Sequence, residues 1–308
     1  MYTHLLALNP SRQLIVKVDL ADGTITNFLT GVTDFPDGIV VDRHANTLYW
    51  TNMGAPGLPA DHPPQRESDL DFYRCNGSLE RAALDGSDRQ TLLEAGSFVT
   101  GKQLAGAWSR HRLYWSDREG AAVRSVSLET GQLRDEIVVT QSEQGRHVIR
   151  NQCVGVAVDE RNGYLYWTQK GPSDGGDGRI FRTALDMPAG QTATTRAAEV
   201  LWSGLPEPID LELDLDGGVI YWTDRGTPPK GNTLNRAQIP APGQPGGAID
   251  ILAGDFHEAI GLAVDTAAQI AYVSDLGGEI RAVSLAGTGD RVVATVPGGL
   301  TGIVGLGQ

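Results

Sequence analysis

Polar side chains recur just before, or at the start of, short apolar runs of this sequence. They are Asp37, Lys102, Gln103, Gln152, Cys153, Glu207, Asp210 and Glu258. Carboxylates, amines and amides gathered around one opening can bind a small polar molecule and exchange hydrogen bonds or protons with it. The lining of a water-filled channel has the same composition, so the spacing alone leaves both interpretations open.

Four residues are the candidates for catalysis, namely His62, His147, Lys102 and Arg150. Either histidine could act as a general acid or base. Lys102, His147 and Arg150, together with Gln152 and Lys170, could donate hydrogen bonds to a reacting oxygen. A thiolate pair of Cys153 with His147 is the competing hypothesis, although a lone cysteine is more often a small buried hydrophobe.

Metal and serine chemistry are weakly indicated. Glu207, Asp210 and Glu258 could supply oxygen ligands to a divalent cation, but Lys102 would compete for the acids. The sequence 171–175 matches G-x-S-x-G by letter, yet no helix is expected after it, as a nucleophile elbow requires. We therefore predict no metal and no cofactor, because the sequence also lacks a phosphate-cradling glycine loop.

An aromatic strand repeats five times and must position these residues. The copies are Leu48–Asn52, Leu113–Asp117, Leu165–Gln169, Ile220–Asp224 and the decayed Ala271–Asp275. They recur roughly every 50 to 65 residues, a range in which a fixed period indicates stacked supersecondary units. A short apolar strand precedes each copy, and two more strands follow it.

A third strand, with two apolar residues five positions apart, occurs six times and so predicts six four-stranded blades. The pairs are Ile15/Leu20, Leu79/Leu84, Val123/Leu128, Ile180/Leu185, Leu234/Ile239 and Ile280/Leu285. The prediction is an all-β chain, a six-bladed β-propeller spanning residues 1–308 as a single domain. Residues 1–31 and 299–308 share one blade, so that pairing of the two ends closes the ring.

This pattern resembles the YWTD propellers, the low-density-lipoprotein-receptor class B repeats, over nearly the whole chain. The resemblance implies that the tryptophans pack between blades and that the acid ending each aromatic strand ties it to its neighbour. Asn52 and Gln169 replace that acid in two copies. The chain looks like the stand-alone fungal and bacterial members, which lack the cysteine-rich modules of the receptors.

Two segments lengthen the face that carries the candidate residues. Residues 53–77 form a proline-containing insertion in which Phe72 and Tyr73 are apolar anchors, and the segment Gln141–Cys153 is a second long loop. Long unstructured loops are uncommon unless they are functional or disordered. The insertion is interpreted either as a lid over the central channel, with Phe72 and Tyr73 touching substrate, or as a decorative loop.

Composition limits the partners. The 308 residues carry a net charge of −13, which disfavours nucleic acid and anionic membranes. No apolar run could span a bilayer, and Met1–Leu20 is not a signal peptide, so a cytoplasmic location is expected unless a leader has been removed. Cys75 and Cys153 are expected as free thiols, with a single bridge as the alternative.

The functional prediction is a cofactor-independent, monomeric enzyme that acts on a small molecule at the channel mouth. The stand-alone relatives implied by the resemblance are associated with secondary metabolism and with cyclisation, including hetero-Diels–Alder reactions. Such chemistry needs only a shaped pocket and a few donors, and would leave no motif. The alternatives are a metal-dependent lactone hydrolase, on a loose resemblance to gluconolactonase-type propellers, and a non-enzymatic binding propeller.

Overall fold

The structure is a computed structural model that describes residues 1–59, 61, 63, 69–172 and 175–307. Strands dominate this part of the chain. The first half contains β1 (Tyr2–Asn9), β2 (Leu14–Asp19), β3 (Ile25–Thr30), β4 (Pro36–Asp42), β5 (Thr47–Asn52), β6 (Gly77–Ala83), β7 (Gln90–Phe98), β8 (Gly101–Ala107), β9 (Arg112–Asp117), β10 (Ala122–Ser127), β11 (Leu133–Val138) and β12 (Cys153–Asp159).

The second half has the same character. It contains β13 (Tyr164–Gln169), β14 (Gly178–Ala184), β15 (Glu199–Leu205), β16 (Pro208–Asp214), β17 (Val219–Asp224), β18 (Thr233–Gln238), β19 (Asp250–Ala253), β20 (Ala259–Asp265), β21 (Ile270–Asp275), β22 (Glu279–Ser284), β23 (Asp290–Thr295) and β24 (Ile303–Gly307). One short helix, α1 (Glu143–Arg146), and 3-10 turns at Pro10–Arg12, Trp108–Arg110 and Ile149–Asn151 complete the described elements. No helix in this part of the chain is long and apolar enough to cross a membrane.

The strands form six antiparallel sheets of four, which confirms the predicted six-bladed β-propeller. Blades one to five follow chain order, from β4–β7 to β20–β23. Blade six has the order β24-β1-β2-β3, with Leu5 opposite Gly305 and Ala7 opposite Ile303. The two ends of the chain therefore close the ring, as predicted.

The outer strands differ from their predicted bounds. For the fourth strands of blades one and two, the sequence pattern predicts residues 90–94 and 136–140. In the structure β7 spans Gln90–Phe98 and β11 spans Leu133–Val138. The outer strand is the exposed edge of each blade and is rich in polar residues. Hydrophobic patterning therefore marks its ends poorly.

The tryptophan of each aromatic strand packs against the preceding blade, as the resemblance implied. Trp50 contacts the cluster that contains Leu6 and Leu8 of blade six, and Trp115 lies with Tyr49 of blade one. Both indoles are fully buried. The core is thus a series of layers between neighbouring blades, because a single sheet cannot bury both of its faces.

The tie between blades comes from the hydroxyl of the aromatic strand rather than from its acid. Each hydroxyl donates to a carbonyl of the next blade's inner strand or the segment leading into it, in the pairs Thr51–Lys102, Ser116–Gly155, Thr168–Ile209, Thr223–Ile260 and Ser274–Thr301. The acid binds within its own blade. Asp117, for example, accepts from the N–H groups of Val99 and Thr100.

Candidate functional site

The residue that follows each aromatic strand has a fixed backbone position. Its N–H donates to the carbonyl of a residue shortly before the inner strand of the same blade, in the pairs Met53–Phe35, Arg118–Thr100, Lys170–Gln152, Arg225–Glu207 and Leu276–Glu258. The N···O distances lie between 2.9 and 3.2 Å. This bond holds the side chains of both segments at one end of the ring, which we call the upper face.

A cavity of about 620 Å³ opens on the upper face above blades two to four, and we call it the main pocket. Its charged and polar lining consists of Tyr73, Arg118, Glu119, Gln152, Lys170, Glu207, Arg225, Asn232 and Glu258. Leu70 and Ile149 add apolar contacts from the two long loops. The volume is that of a pocket for a small organic molecule.

Glu207 organises the charged wall of the main pocket. Its Oε1 accepts hydrogen bonds from Lys170 Nζ and from an Arg225 terminal nitrogen, both at 2.8 Å. The side chain of Glu207 is 6 % exposed and that of Lys170 is 12 % exposed. Charge-assisted bonds of this kind are short and directional, so they fix the Lys170 amine against the pocket wall.

The ionisation of this group follows from burial and neighbours. Burial, reinforced by the charge of Arg225, lowers the pKa of Lys170 to about 8, although Glu207 opposes the shift. Burial alone would raise the pKa of Glu207, but Arg225 and Lys170 outweigh it and hold that pKa below its ordinary value. At neutral pH the wall therefore carries an ionised carboxylate and a mostly protonated amine.

The wall offers unused hydrogen-bonding groups to a ligand. Among the described residues, Glu207 is the only side-chain partner of the Lys170 amine, which has three N–H donors when charged. Glu119 accepts from Arg118 Nε at 2.6 Å through Oε1, while its buried Oε2 has no partner in the described structure. The main pocket thus presents the Lys170 amine as a donor, whereas Glu119 Oε2 is shielded.

A second cavity, of about 180 Å³, lies on the other half of the upper face, and we call it the apolar pocket. Its apolar lining consists of Pro10, Phe35, Met53, Leu70, Phe72, Ile260 and Leu276. Phe72 is buried and packs edge-on against Phe35 with 5.5 Å between ring centroids. Leu70 lines both pockets, so the two are neighbours.

The insertion and the second long loop meet beside the main pocket. The ring of Tyr73 stacks on that of His147, and the Tyr73 hydroxyl accepts from Gln152 Nε2 at 3.1 Å. Within the insertion, Gly57 and Asp71 form a two-bond antiparallel bridge. These contacts hold the return limb of the insertion, residues 69–77, against the upper face.

The axis of the propeller is filled below the two pockets. Gln103 accepts from the N–H groups of Val156 and Leu211 through Oε1, at 2.8 Å each, and donates to the carbonyl of Leu211. Lys102 forms a buried ion pair with Asp37. Burial, followed by the charge of Asp37, raises the pKa of the nearby Asp210 well above its ordinary value.

The structure brings together many of the predicted substrate-binding residues. Tyr73, Gln152, Lys170, Glu207 and Glu258 line the main pocket, and Asp37, Lys102 and Phe72 line the apolar pocket. Gln103 and Asp210 are buried at the axis. Lys102 is thus a wall residue engaged in an ion pair rather than an unpaired donor.

Other predicted residues lie elsewhere. His147 and Arg150 are exposed on the second long loop and line neither pocket. His62 lies outside the described residues. Cys153 is fully buried in a core cluster with Trp167, where burial raises the pKa of its thiol to about 12, so the structure does not support a Cys153–His147 thiolate pair or a contact of Cys153 with substrate. Both Cys75 and Cys153 are free thiols.

The candidate metal ligands do not fit a divalent cation. Glu207 is bound by two cationic side chains, Glu258 is an exposed residue 3.7 Å from Arg225, and the raised pKa of Asp210 favours its neutral form. The described residues hold one compact group of metal-ligating types, His257, Asp275 and Glu279. There Asp275 already accepts from the N–H groups of His257 and Glu279, which is the structural role of the strand-ending acid.

Sequence reasoning identified Lys170 but missed Arg118, Glu119 and Arg225. Arg118 and Arg225 hold the same place in their blades as Lys170, directly after the aromatic strand. The signal was therefore present in the repeat as a position rather than as a motif. Glu119 is one residue further on and has no equivalent among the predicted sites.

Known proteins share this architecture. No protein-family model matches the chain. A solved structure described as a nidogen/laminin complex superposes with a TM-score of 0.73 over 99 % of both chains at 18 % identity. A calcium-binding protein, regucalcin, from Agrobacterium tumefaciens superposes with a TM-score of 0.59 over 89 % of this chain and 79 % of that one at 17 % identity. At these identities the likeness shows the fold alone.

Two fungal proteins are similar in sequence. The 3-hydroxyacyl-CoA dehydrogenase-like protein LAM1 of Cochliobolus heterostrophus is 37 % identical over 83 % of this chain, and the match spans about half, 53 %, of its own length. The low-density lipoprotein receptor-related protein 1 of Pyricularia oryzae is 40 % identical over 92 % of this chain and 89 % of its own length. With that identity over nearly all of both proteins, the chain belongs to the family of the Pyricularia oryzae protein, as a YWTD-like six-bladed propeller.

Proposed function

We propose that this chain is a cofactor-independent enzyme of the stand-alone YWTD-like type that acts on a small molecule in the main pocket. The observation that carries the proposal is the Lys170 amine, fixed by Glu207 on the wall of a 620 Å³ cavity with N–H donors to spare. A pocket of this volume, lined by a preorganised cation, supports a catalytic role better than a flat docking surface does.

The reaction class that fits these groups is a cyclisation of a conjugated carbonyl compound. A cycloaddition of the hetero-Diels–Alder type forms its new bonds from the π electrons of the two components, so it needs no leaving group and no oxidant. Lys170 would donate to the carbonyl oxygen, on which negative charge grows in the transition state. The walls would hold the reacting ends in a near-attack geometry.

The name of the relative from Cochliobolus heterostrophus does not extend a dehydrogenase activity to this chain. The match covers only about half of that relative, and the sequence here lacks the glycine-rich fingerprint of a dinucleotide site. A metal-dependent lactone hydrolase is disfavoured by the donor set, because the pocket carboxylate Glu207 is already neutralised by two cations. We further propose a monomer that binds neither nucleic acid nor membrane and acts in the cytoplasm.

A cycloaddition panel tests the proposal. The purified chain is incubated with α,β-unsaturated ketones and electron-rich alkenes, and dihydropyran products are separated by chiral chromatography. An enzyme should give enantiomeric excess above the racemic background, and Lys170→Met should lose it while Lys17→Met, on β2 outside the pocket lining, should retain it. Racemic product at the uncatalysed rate across the whole panel would contradict the cyclase proposal, and tight binding of a component without turnover would favour a binding protein.

A further inference from the structure

In each of the six blades, one residue follows directly after the second strand and lies on the upper face. These six positions divide the upper face into two halves. Blades two, three and four place Arg118, Lys170 and Arg225 there, whereas blades five, six and one place Leu276, Pro10 and Met53. Because three consecutive blades share each character, the charged positions form one continuous arc and the apolar positions form the other.

Each arc lines its own cavity. The charged arc lines the main pocket, and the apolar arc lines the apolar pocket. Leu70 belongs to both linings and lies where the two cavities adjoin. The two cavities therefore lie side by side on the upper face.

The two cavities require different chemistry from a ligand. In the charged arc, the spare N–H groups of Lys170 call for an oxygen acceptor, since no described residue supplies a second one. The carboxylate of Glu119 lies on the same wall, but its Oε2 is buried, so Lys170 is the anchoring group on this side. In the apolar arc, Met53, Phe72 and Leu276 offer hydrocarbon contact.

We infer that the upper face binds one amphipathic small molecule across both pockets, with a carboxylate or carbonyl oxygen on Lys170 and a compact apolar body against Met53 and Leu276. This inference deepens the proposed function by defining the class and the orientation of its substrate. Its binding geometry is testable without turnover.

A homologous series of simple probes measures the two halves separately. Dissociation constants for acetate, butanoate, hexanoate and 1-hexanol are determined by NMR titration at pH 7. Each methylene group should tighten alkanoate binding about fourfold, because roughly 0.8 kcal/mol is gained for each buried methylene. Hexanoate should bind about tenfold or more tightly than 1-hexanol, which lacks the charged acceptor.

Two variants assign the halves to residues. Lys170→Met should weaken every alkanoate about tenfold and leave the gain per methylene unchanged. The double variant Met53→Ala/Leu276→Ala should leave acetate binding unchanged and reduce the gain per methylene toward onefold. The matched controls are Lys17→Met and Ile251→Ala, which change side chains on β2 and β19, two strands that line neither pocket. Unchanged thermal unfolding shows that each variant is folded.

The outcomes separate this inference from the proposed function. Hexanoate binding no tighter than acetate, or equal losses at both variants for every probe, would overturn the bipartite site. If the alkanoates follow the predicted pattern and the cycloaddition panel gives only racemic product, the binding inference stands and the cyclase proposal fails. If the panel gives enantiomeric excess that neither Lys170 nor Leu276 affects, the enzyme stands and the orientation inferred here is wrong.

Discussion

The ring of Tyr73 is stacked on the imidazole of His147, with 3.8 Å between centroids and 27° between planes. Tyr73 belongs to the insertion of blade one, and His147 to the loop between blades two and three. The contact therefore joins two long loops of different blades across the rim of the main pocket. His147 thus supports the loops beside the main pocket but does not line the pocket itself.

Removing the Tyr73 ring should loosen the second long loop. Aromatic pairs contribute about 0.5–1.5 kcal/mol beyond their buried area, so Tyr73→Ala should speed hydrogen exchange in residues 143–152 by about twofold to tenfold. Tyr73→Phe keeps the stack and removes only the hydroxyl, which accepts from Gln152 and donates to the carbonyl of Arg146 at 3.5 Å, so its exchange should rise less than that of Tyr73→Ala. Equal exchange in both variants would show that stacking does not hold the loop.

The inter-blade hydroxyls should contribute measurably to stability. Thr168 Oγ1 accepts from the N–H of Gly155 at 2.6 Å and donates to the carbonyl of Ile209 at 2.9 Å. Thr168→Val preserves shape but leaves both buried backbone groups without that partner, which should lower the free energy of unfolding by about 1–3 kcal/mol per group. Denaturant unfolding measures the loss, and Thr26→Val on the exposed edge strand β3 should stay within about 0.5 kcal/mol.

The two thiols should differ sharply in reactivity. Burial raises the pKa of Cys153 to about 12, whereas Cys75 is exposed. Because the thiolate is the nucleophile, native protein treated with iodoacetamide at pH 8 should be labelled at Cys75 alone, as read by peptide mass spectrometry. Cys75→Ser should then remain unlabelled until it is denatured, and labelling of Cys153 in folded protein would show that its blade opens.

Alkanoate binding should depend on pH through Lys170. Its pKa of about 8 means that the amine is charged below that pH and neutral above it. Hexanoate affinity should therefore be constant between about pH 6 and pH 7 and fall above pH 8 toward a plateau about tenfold weaker, the loss expected of Lys170→Met, while 1-hexanol affinity stays flat. Lys170→Arg keeps its charge in this range and should abolish the fall, so a fall that persists in that variant would assign the titration to another group.

The propeller should tolerate a circular permutation that joins its two ends and opens the chain in another blade. Tyr2 lies opposite Gly307, so a short linker can join the ends, and the exposed turn at Gly131 can carry the new termini. This permutant should keep cooperative unfolding, whereas deletion of residues 303–308 removes β24, leaves the inner edge of β1 unpaired and should cause aggregation. Circular dichroism melting of the two proteins decides between them, and a stable truncated monomer would contradict the need for closure.

The aromatic strands were predictable because tyrosine and tryptophan recur at fixed places within short β-branched or apolar segments. The edge strands were not, since one side of each is exposed and its sequence is mixed. The placement of Cys153 shows a finer limit. Gln152 lines the main pocket and Cys153, the next residue, is buried in the core, because successive side chains in extended backbone point to opposite sides. If the predicted start of a strand is wrong by one residue, a core residue is therefore assigned to the pocket lining.

The division of the upper face into two cavities was equally out of reach. Each of Met53, Arg118, Lys170, Arg225 and Leu276 follows its strand at the same step, but chain order does not show which cavity each side chain lines. The contact of Tyr73 with His147 joins residues 74 positions apart in two irregular loops, and no periodicity describes it. Sequence reasoning thus located the upper face and most of its wall, while the grouping of charges required coordinates.

The bond from the residue after each aromatic strand to the carbonyl before the inner strand uses backbone atoms only. Arginine, lysine, methionine and leucine all occupy that place here without altering it. Substitution at these sites is therefore decoupled from folding, and a propeller of this kind can acquire a different ligand preference one blade at a time. These positions are the natural starting point for redesigning which ligand the propeller binds.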